Sequence, residues 1–160
     1  MPADIVQSNT LEALPGMLGL DHIAIAVANL DTASGPYRML GFVASHPDEE
    51  VSGSGVRVRE LVHGATTIEL LEPLDDTGQV ARFLARRGPG LHHLAFRVRD
   101  VRASLSALAA QGRGGIEGVA RPGRRGTVVA FLPPSDWAGV LIELVEWPVG
   151  APARPGETCP

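Results

Sequence analysis

The chain has 160 residues, with 18 acidic and 14 basic side chains, a net charge of −4, 44% hydrophobic content and one cysteine. That length suits one domain, or two small halves sharing a sheet, and the acidic balance excludes the broad cationic surface that nucleic acid requires. No apolar run approaches the roughly 20 residues that span a bilayer, and MPADIVQSNTLEALPG lacks the basic start and apolar stretch of an export signal, so a soluble, cytoplasmic chain without a membrane partner is expected.

Residues 1–18 mix polar and small side chains around Pro2 and Pro15 and read as a flexible arm. A first strand is predicted over His22–Val27 from its large–small alternation. LDTASGPYRMLG follows as a helix, predicted to be kinked or shortened by Gly35 and Pro36. Strands are predicted over Val56–Val62 and Thr66–Glu72, separated by a turn at Gly64 and preceded by one at Ser52–Gly55. A linking helix covers Gln79–Arg87. The second half begins with a strand at His93–Val98. DVRASLSALAAQG then reads as a short amphipathic helix, with Asp100 as N-cap and Gly112 as stop. Strands at Thr127–Leu132 and Val140–Glu146, with a turn at Gly123–Gly126 between that helix and the first of them, complete it. Residues 148–160 form a Pro-rich tail, in which Cys159 has no partner for an intrachain disulfide.

The halves repeat one another. A shift of 71 positions lays HIAIAVANL on HLAFRVRDV, and a shift of 74 lays IELLE on IELVE. Alternate strand residues face opposite ways, so Ile23, Ile25 and Val27 oppose His22, Ala24 and Ala26, and Leu94, Phe96 and Val98 oppose His93, Ala95 and Arg97. By the same rule Glu69 opposes Ile68 and Leu70, and Glu143 opposes Ile142 and Leu144. His22, Glu69, His93 and Glu143 are therefore expected on the small-residue side of four strands, converging if the halves join about a pseudo-twofold axis. Two imidazoles and two carboxylates suit one divalent transition ion such as Co, Mn, Zn, Ni or Fe, with positions left for water or substrate. No GxxxxGK[ST], HExxH, CxxC or GxSxG motif is present.

Over residues 19–147 the segments LDHIAIAV, IELLEPL, RRGPGLHHLAFRV and GVLIELVEWP resemble, in order and spacing, the vicinal oxygen chelate superfamily and within it the methylmalonyl-CoA epimerase family. The resemblance implies an α+β fold in which two tandem βαβββ modules, about 19–74 and 90–147 with a helical linker at 75–89, form a cup-shaped mixed sheet around a metal. It places the metal ligands on His22, Glu69, His93 and Glu143. Repeat alignment selects His93 over His92, which matches Asp21 and is expected to point the other way. The implied reaction interconverts (2R)- and (2S)-methylmalonyl-CoA by 1,1-proton transfer, which needs an acid/base group on each face of the substrate.

The resemblance implies that Glu143 is the first of these catalytic groups. Val58 occupies the position of the second, and Glu60, two residues on and on the same strand face, is the expected replacement. A second departure is FLPPSDWAGV, in which Pro133 and Pro134 stand where relatives commonly carry His and Lys. Arg97, Arg121, Arg124 and Arg125 are candidate contacts for the CoA phosphates or the substrate carboxylate. His46 and His63 lie in or beside turns and are expected to be exposed. A homodimer is expected by resemblance. The alternatives are a glyoxalase-type isomerase or a dioxygenase of the same superfamily, or a non-catalytic small-molecule-binding protein, for which seven aromatic residues supply a poor stacking groove.

Overall fold

A computed structural model describes residues 11–51, 53–114 and 119–151; Cys159 and most of both arms lie outside them. The first half contains β1 (Met17–Ala26), α1 (Leu30–Met39), β2 (Val43–Ala44), β3 (Glu49–Val51), β4 (Val56–His63) and β5 (Thr66–Pro73). After α2 (Gln79–Arg87), the second contains β6 (Gly90–Val98), α3 (Val101–Ala110), β7 (Arg121–Pro122), β8 (Val128–Leu132) and β9 (Leu141–Glu146). One curved, unclosed sheet runs β2-β4-β5-β1-β6-β9-β8-β7, with β3 beside β4. β1 lies parallel to β5 and β6 parallel to β9, while β1 and β6 meet antiparallel at the seam. The strand order is mirrored about that seam, as a duplicated βαβββ unit requires.

Each helix starts in the same way. Asn29 accepts from the Thr32 N–H at 2.9 Å and Asp100 from the Ala103 N–H at 2.8 Å. A glutamate from the last strand of the same module also reaches each helix. Leu30 N–H donates to Glu72 Oε2 at 2.7 Å, and Val101 N–H to Glu146 Oε2 at 2.8 Å. The final Glu of IELLE and of IELVE thus neutralises an orphan donor at a helix N-terminus, where negative charge is favoured.

The expected shortening of α1 does not occur: it has ten residues, as α3 has. Pro36 lies on the exposed side of the helix, so the Thr32 carbonyl deprived of its donor is turned toward water. β1 begins at Met17, two residues before the expected domain start, because Met17 pairs with Val98. The two- and three-residue strands β2, β3 and β7 are too short to leave a periodic signal.

The larger face of each first strand packs as expected. Ile25 and Val27 join Leu30, Leu61, Ile68 and Leu70 beneath α1, and Leu94, Phe96 and Val98 join Leu144 and Ile142 beneath α3. The small face is less open than its sequence suggests. Ala24 and Ala26 are covered by Val56, Val58, Leu71 and Val80, and α2 seals that end with Val80, Phe83 and Leu84. Room remains at the His22 end. No described helix is long and apolar enough to cross a membrane.

Candidate metal centre

In the β1–β6 ladder His22 stands opposite Ala95 and His93 opposite Ala24. In the parallel ladders Ala24 pairs with Glu69 and Ala95 with Glu143. A methyl group therefore lies between each imidazole and a carboxylate, and the longer side chains converge above it. The two imidazole centroids are 5.5 Å apart. Glu143 Oε2 is 3.4 Å from His22 Nε2 and 3.2 Å from His93 Nε2, and Glu69 Oε2 is 3.5 Å from His22 Nε2. All four side chains are buried.

Two observations fit a cation at this point. His22, His93 and Glu143 each offer a ligand atom within 4.8 Å of the others. Both Nε2 atoms are buried without a hydrogen-bond partner, which is costly unless something electrophilic completes them. Burial by itself lowers the His22 imidazole, but Glu69, the Asp21 hydrogen bond and Glu143 outweigh it and raise the group to about 10. Glu143 is held well below the usual carboxylate range: burial opposes this, and the adjacent His22 and His93 imidazoles prevail. The cluster thus attracts positive charge strongly.

Behind the imidazoles stands a second pair of residues. Asp21 Oδ1 accepts from His22 Nδ1 at 2.8 Å, and its Oδ2 accepts from Trp147 Nε1 at 2.7 Å. Once the imidazole gives up its Nε2 proton to a cation, that bond selects the tautomer whose Nε2 lone pair faces the cavity. His92 Nδ1 lies 2.8 Å from His93 Nδ1. Burial, and then His93, push the His92 imidazole down to about 4, so it is neutral at pH 7 and free to accept from His93 Nδ1. His92 does not point away, as alternation implied. In β1 the partners step from Leu20–Phe96 to His22–Ala95, and in β6 from His93–Ala24 to Leu91–Ile25, making Asp21 and His92 the extra residues of two symmetry-related bulges. A bulge puts consecutive side chains on one side, which strict alternation cannot anticipate. Asp21, which holds His22 from behind, is the candidate site residue that sequence reading missed; its equivalence to His92 in the repeat was the available signal.

Glu69 lies outside the three-residue group, and its Oε1 accepts from Arg124 Nη2. Arg124 also donates from Nη1 to Glu49 Oε2 at 2.9 Å, and its Nη2 is 3.6 Å from Glu60 Oε2. Arg124 opens a tight 3₁₀ turn, Arg124–Gly126, in which Arg125 adopts φ 51°. A Cβ on Gly123 would come within 2.3 Å of Thr127 Oγ1, so glycine is required there for the turn to close over the cavity. Glu60 is buried on the same sheet face as its cross-strand partner Glu69. Its carboxylate accepts from Ser45 Oγ at 2.6 Å and from Arg125 Nη1 at 3.3 Å, while Val58 forms part of the cavity wall. Arg121, Arg124 and Arg125 line the same cavity of about 450 Å³, whereas Arg97 stacks on Trp147 at 5.8 Å. His46 and His63 are exposed.

The chain belongs to the Glyoxalase/Bleomycin resistance protein/Dioxygenase superfamily, which it matches over residues 21–131. It is 37% identical over 132 residues to an ethylmalonyl-CoA/methylmalonyl-CoA epimerase of Cereibacter sphaeroides, covering 80% of this chain and 98% of that one. Among solved structures it is similar to methylmalonyl-CoA epimerase from Mycobacterium tuberculosis, with a TM-score of 0.77, 40% identity and coverage of 86% of this chain and 93% of that one. It also superimposes on a variant of the Streptomyces coelicolor enzyme in complex with 2-nitronate-propionyl-CoA, at TM-score 0.76 and 34% identity, covering 81% and 97% respectively.

Proposed function

We propose that this chain interconverts (2R)- and (2S)-methylmalonyl-CoA by 1,1-proton transfer. The observation that carries this reading is the convergence of His22, His93 and Glu143, with two unpartnered Nε2 atoms, in an arginine-lined cavity of a chain similar to named epimerases. His22, His93, Glu143 and Glu69 would hold one divalent ion (Co, Mn, Zn or Ni), which supplies positive charge to the thioester oxygen as the C2 proton leaves.

The remaining roles belong to side chains. Glu143 takes and returns the C2 proton on one face of the substrate. Glu60, whose carboxylate is held by Ser45 and Arg125, is assigned the opposite face. Arg124, with a forked guanidinium beside Glu69, orients the substrate carboxylate. Phe131, Val129 and Val145 keep that part of the cavity dry, which strengthens these charges. The proposal includes a cytoplasmic homodimer, which rests on the family resemblance; sedimentation of the purified chain checks its dimeric state.

The test is to incubate the cobalt-loaded protein with one epimer of methylmalonyl-CoA in D₂O and follow deuterium at C2. Label should enter, and entry should fall about 10³-fold in His93→Ala and in Glu143→Gln. Absence of label in the wild-type protein overturns the reading. Glu60→Gln should abolish inversion while leaving exchange on the Glu143 face; unchanged epimerisation removes Glu60 from the mechanism. One observation favours a second reading. With Glu69 bound to Arg124, the group reduces to two His and one carboxylate, a ligand set that also serves Fe(II) oxygenases. Oxygen consumption by the Fe(II)-loaded protein, without C2 exchange, would select it.

A further inference from the structure

β2 and β3 lie along the same side of β4, yet they do not form one continuous strand. Ala44 pairs with Leu61, the Ser45 N–H donates to the Glu60 carbonyl at 3.1 Å, and Glu49 pairs with Val58. His46, Pro47 and Asp48 therefore stand where one residue would face Arg59. The excess loops outward, and Arg59 pins it. Its Nε and Nη2 donate to Asp48 Oδ1 and Oδ2 at 2.8 and 2.7 Å, a forked geometry. The same guanidinium is anchored on α1 by Asp31 at 2.9 Å and Ser34 Oγ at 3.1 Å.

The pinned loop keeps an imidazole beside a buried acid. His46 Nε2 lies 3.9 Å from Glu60 Oε1, the oxygen that also accepts from Ser45 Oγ at 2.6 Å. Glu60 Oε2 is turned to the arginines, 3.6 Å from Arg124 Nη2 and 3.3 Å from Arg125 Nη1. The Glu60 side chain is 7% exposed and that of His46 is 54% exposed, so the carboxylate has the ionic wall on one side and a solvated ring on the other. Of these neighbouring side-chain types, imidazole is the one that both takes and releases a proton near neutral pH. An acid that has given its proton to one face of a substrate must regain one before it acts again in the same direction, and burial keeps water from supplying it.

We propose that His46 is the proton relay between solvent and Glu60, held in place by the Asp48–Arg59 pin. The proposal rests on the epimerase reading and on the place of Glu60 in it. When Glu60 acts as base, the substrate C2–H bond breaks as an O–H bond forms on Glu60. A half-turn of the carboxyl group about its soft terminal torsion brings that hydrogen to the His46 side. The O–H bond then breaks as an N–H bond forms at His46 Nε2, and the imidazolium gives the proton to water. Recharging Glu60 as an acid runs the same steps backwards. An approach of about 1 Å by the exposed ring makes the hydrogen bond, and such bonds commonly tighten in the substrate complex.

The experiment follows hydrogen loss at C2 in D₂O from (2R)- and (2S)-methylmalonyl-CoA separately, with the cobalt-loaded full chain carrying His46→Gln. His46 is exposed, so the fold should tolerate its loss. One epimer presents its C2 hydrogen to Glu60 and the other to Glu143. For the first, exchange with retained configuration should fall roughly tenfold relative to inversion, and for the second it should be unchanged. Raising the concentration of MES buffer at constant ionic strength should restore the lost exchange, because a mobile acid–base pair then replaces the ring. Equal change for both epimers, no change for either, or a loss that buffer does not restore overturns the proposal; a merely structural defect takes one of those forms. Glu60→Gln separates the relay from the reading beneath it. If that variant loses inversion while His46→Gln is silent, Glu60 keeps its role and the relay alone falls. If Glu60→Gln leaves inversion unchanged, the assignment of Glu60 has failed and the relay falls with it; wild-type protein that acts on neither epimer overturns the epimerase reading and the relay together.

Discussion

The two modules share a backbone plan but fill one equivalent position in opposite ways. Glu60 stands opposite Glu69 in the first, and Phe131 stands opposite Glu143 in the second. Phe131 meets His93 edge-on at 5.4 Å and 89°, so the wall beside Glu143 is apolar and Glu143 is left to the two imidazoles. On the other side Glu49, Glu60 and Glu69 gather around Arg124, a residue lent by the loop of the second module. Duplication thus supplies the symmetric scaffold, and substitution makes one wall dry and the other ionic. Around the centre five carboxylates (Asp21, Glu49, Glu60, Glu69 and Glu143) face two guanidinium groups (Arg124 and Arg125). A divalent cation would bring that balance close to neutral.

The sharpest break in the symmetry lies behind the imidazoles, where the bulged residues are a carboxylate in one module and a neutral imidazole in the other. Asp21 both orients His22 and lends it charge, while His92 can only orient His93. We expect Asp21→Asn to weaken divalent-metal binding between about 10- and 100-fold. His92→Gln should weaken it by a smaller factor. Isothermal titration with Co or Zn measures both. Equal losses would mean that charge from behind the ligand contributes nothing and that the two modules are equivalent at this level.

These features differ in how well the sequence announced them. The approach of His22, Glu69, His93 and Glu143 to one another was legible because duplication repeats each residue type at one register, opposite an apolar face that must be buried. α3 was legible from its Asp100 cap and Gly112 stop, and α2 runs from Gln79 to Arg87 as expected. Asp21 was not, because a bulge is a property of a strand pair and the residue pattern of one strand does not announce where alternation will break. Glu72 and Glu146 were hidden differently. They belong to the repeated IELLE and IELVE, but their partners are helix N–H groups 42 and 45 residues away. Arg124 reads as a turn residue until the fold brings it across to Glu69, 55 positions earlier.

Arg124 permits a finer test of the ionic wall. Its guanidinium occupies one oxygen of Glu69, so it competes with any cation for that carboxylate. Arg124→Gln should therefore tighten Co or Zn binding by about five- to tenfold, a charge-assisted hydrogen bond no longer having to be given up. The same substitution should lower the melting temperature of the chelator-treated protein, because Glu49, Glu60 and Glu69 then repel one another without a counter-ion. The two shifts have opposite signs. Weaker metal binding in Arg124→Gln would show that the arginine positions Glu69 for the ion, and the two walls would then differ in kind but not in competition.

The smallest effect concerns the place where the modules are most alike. Glu72 and Glu146 each accept from the first N–H of a helix, and each adds a negative charge at the positive end of that helix. Glu72→Gln and Glu146→Gln should each cost about 1 kcal/mol, read from urea midpoints at unchanged slope. Glu72 also lies 3.4 Å from Arg57, but that arginine is 40% exposed and already held by Glu50, so the extra pair should add little. Near-equal losses would therefore show that the two helix starts remain interchangeable parts of one repeated unit. A silent Glu146→Gln beside a costly Glu72→Gln would place the stabilisation in the Arg57 pair instead, and the second helix would then depend on Asp100 alone for its start.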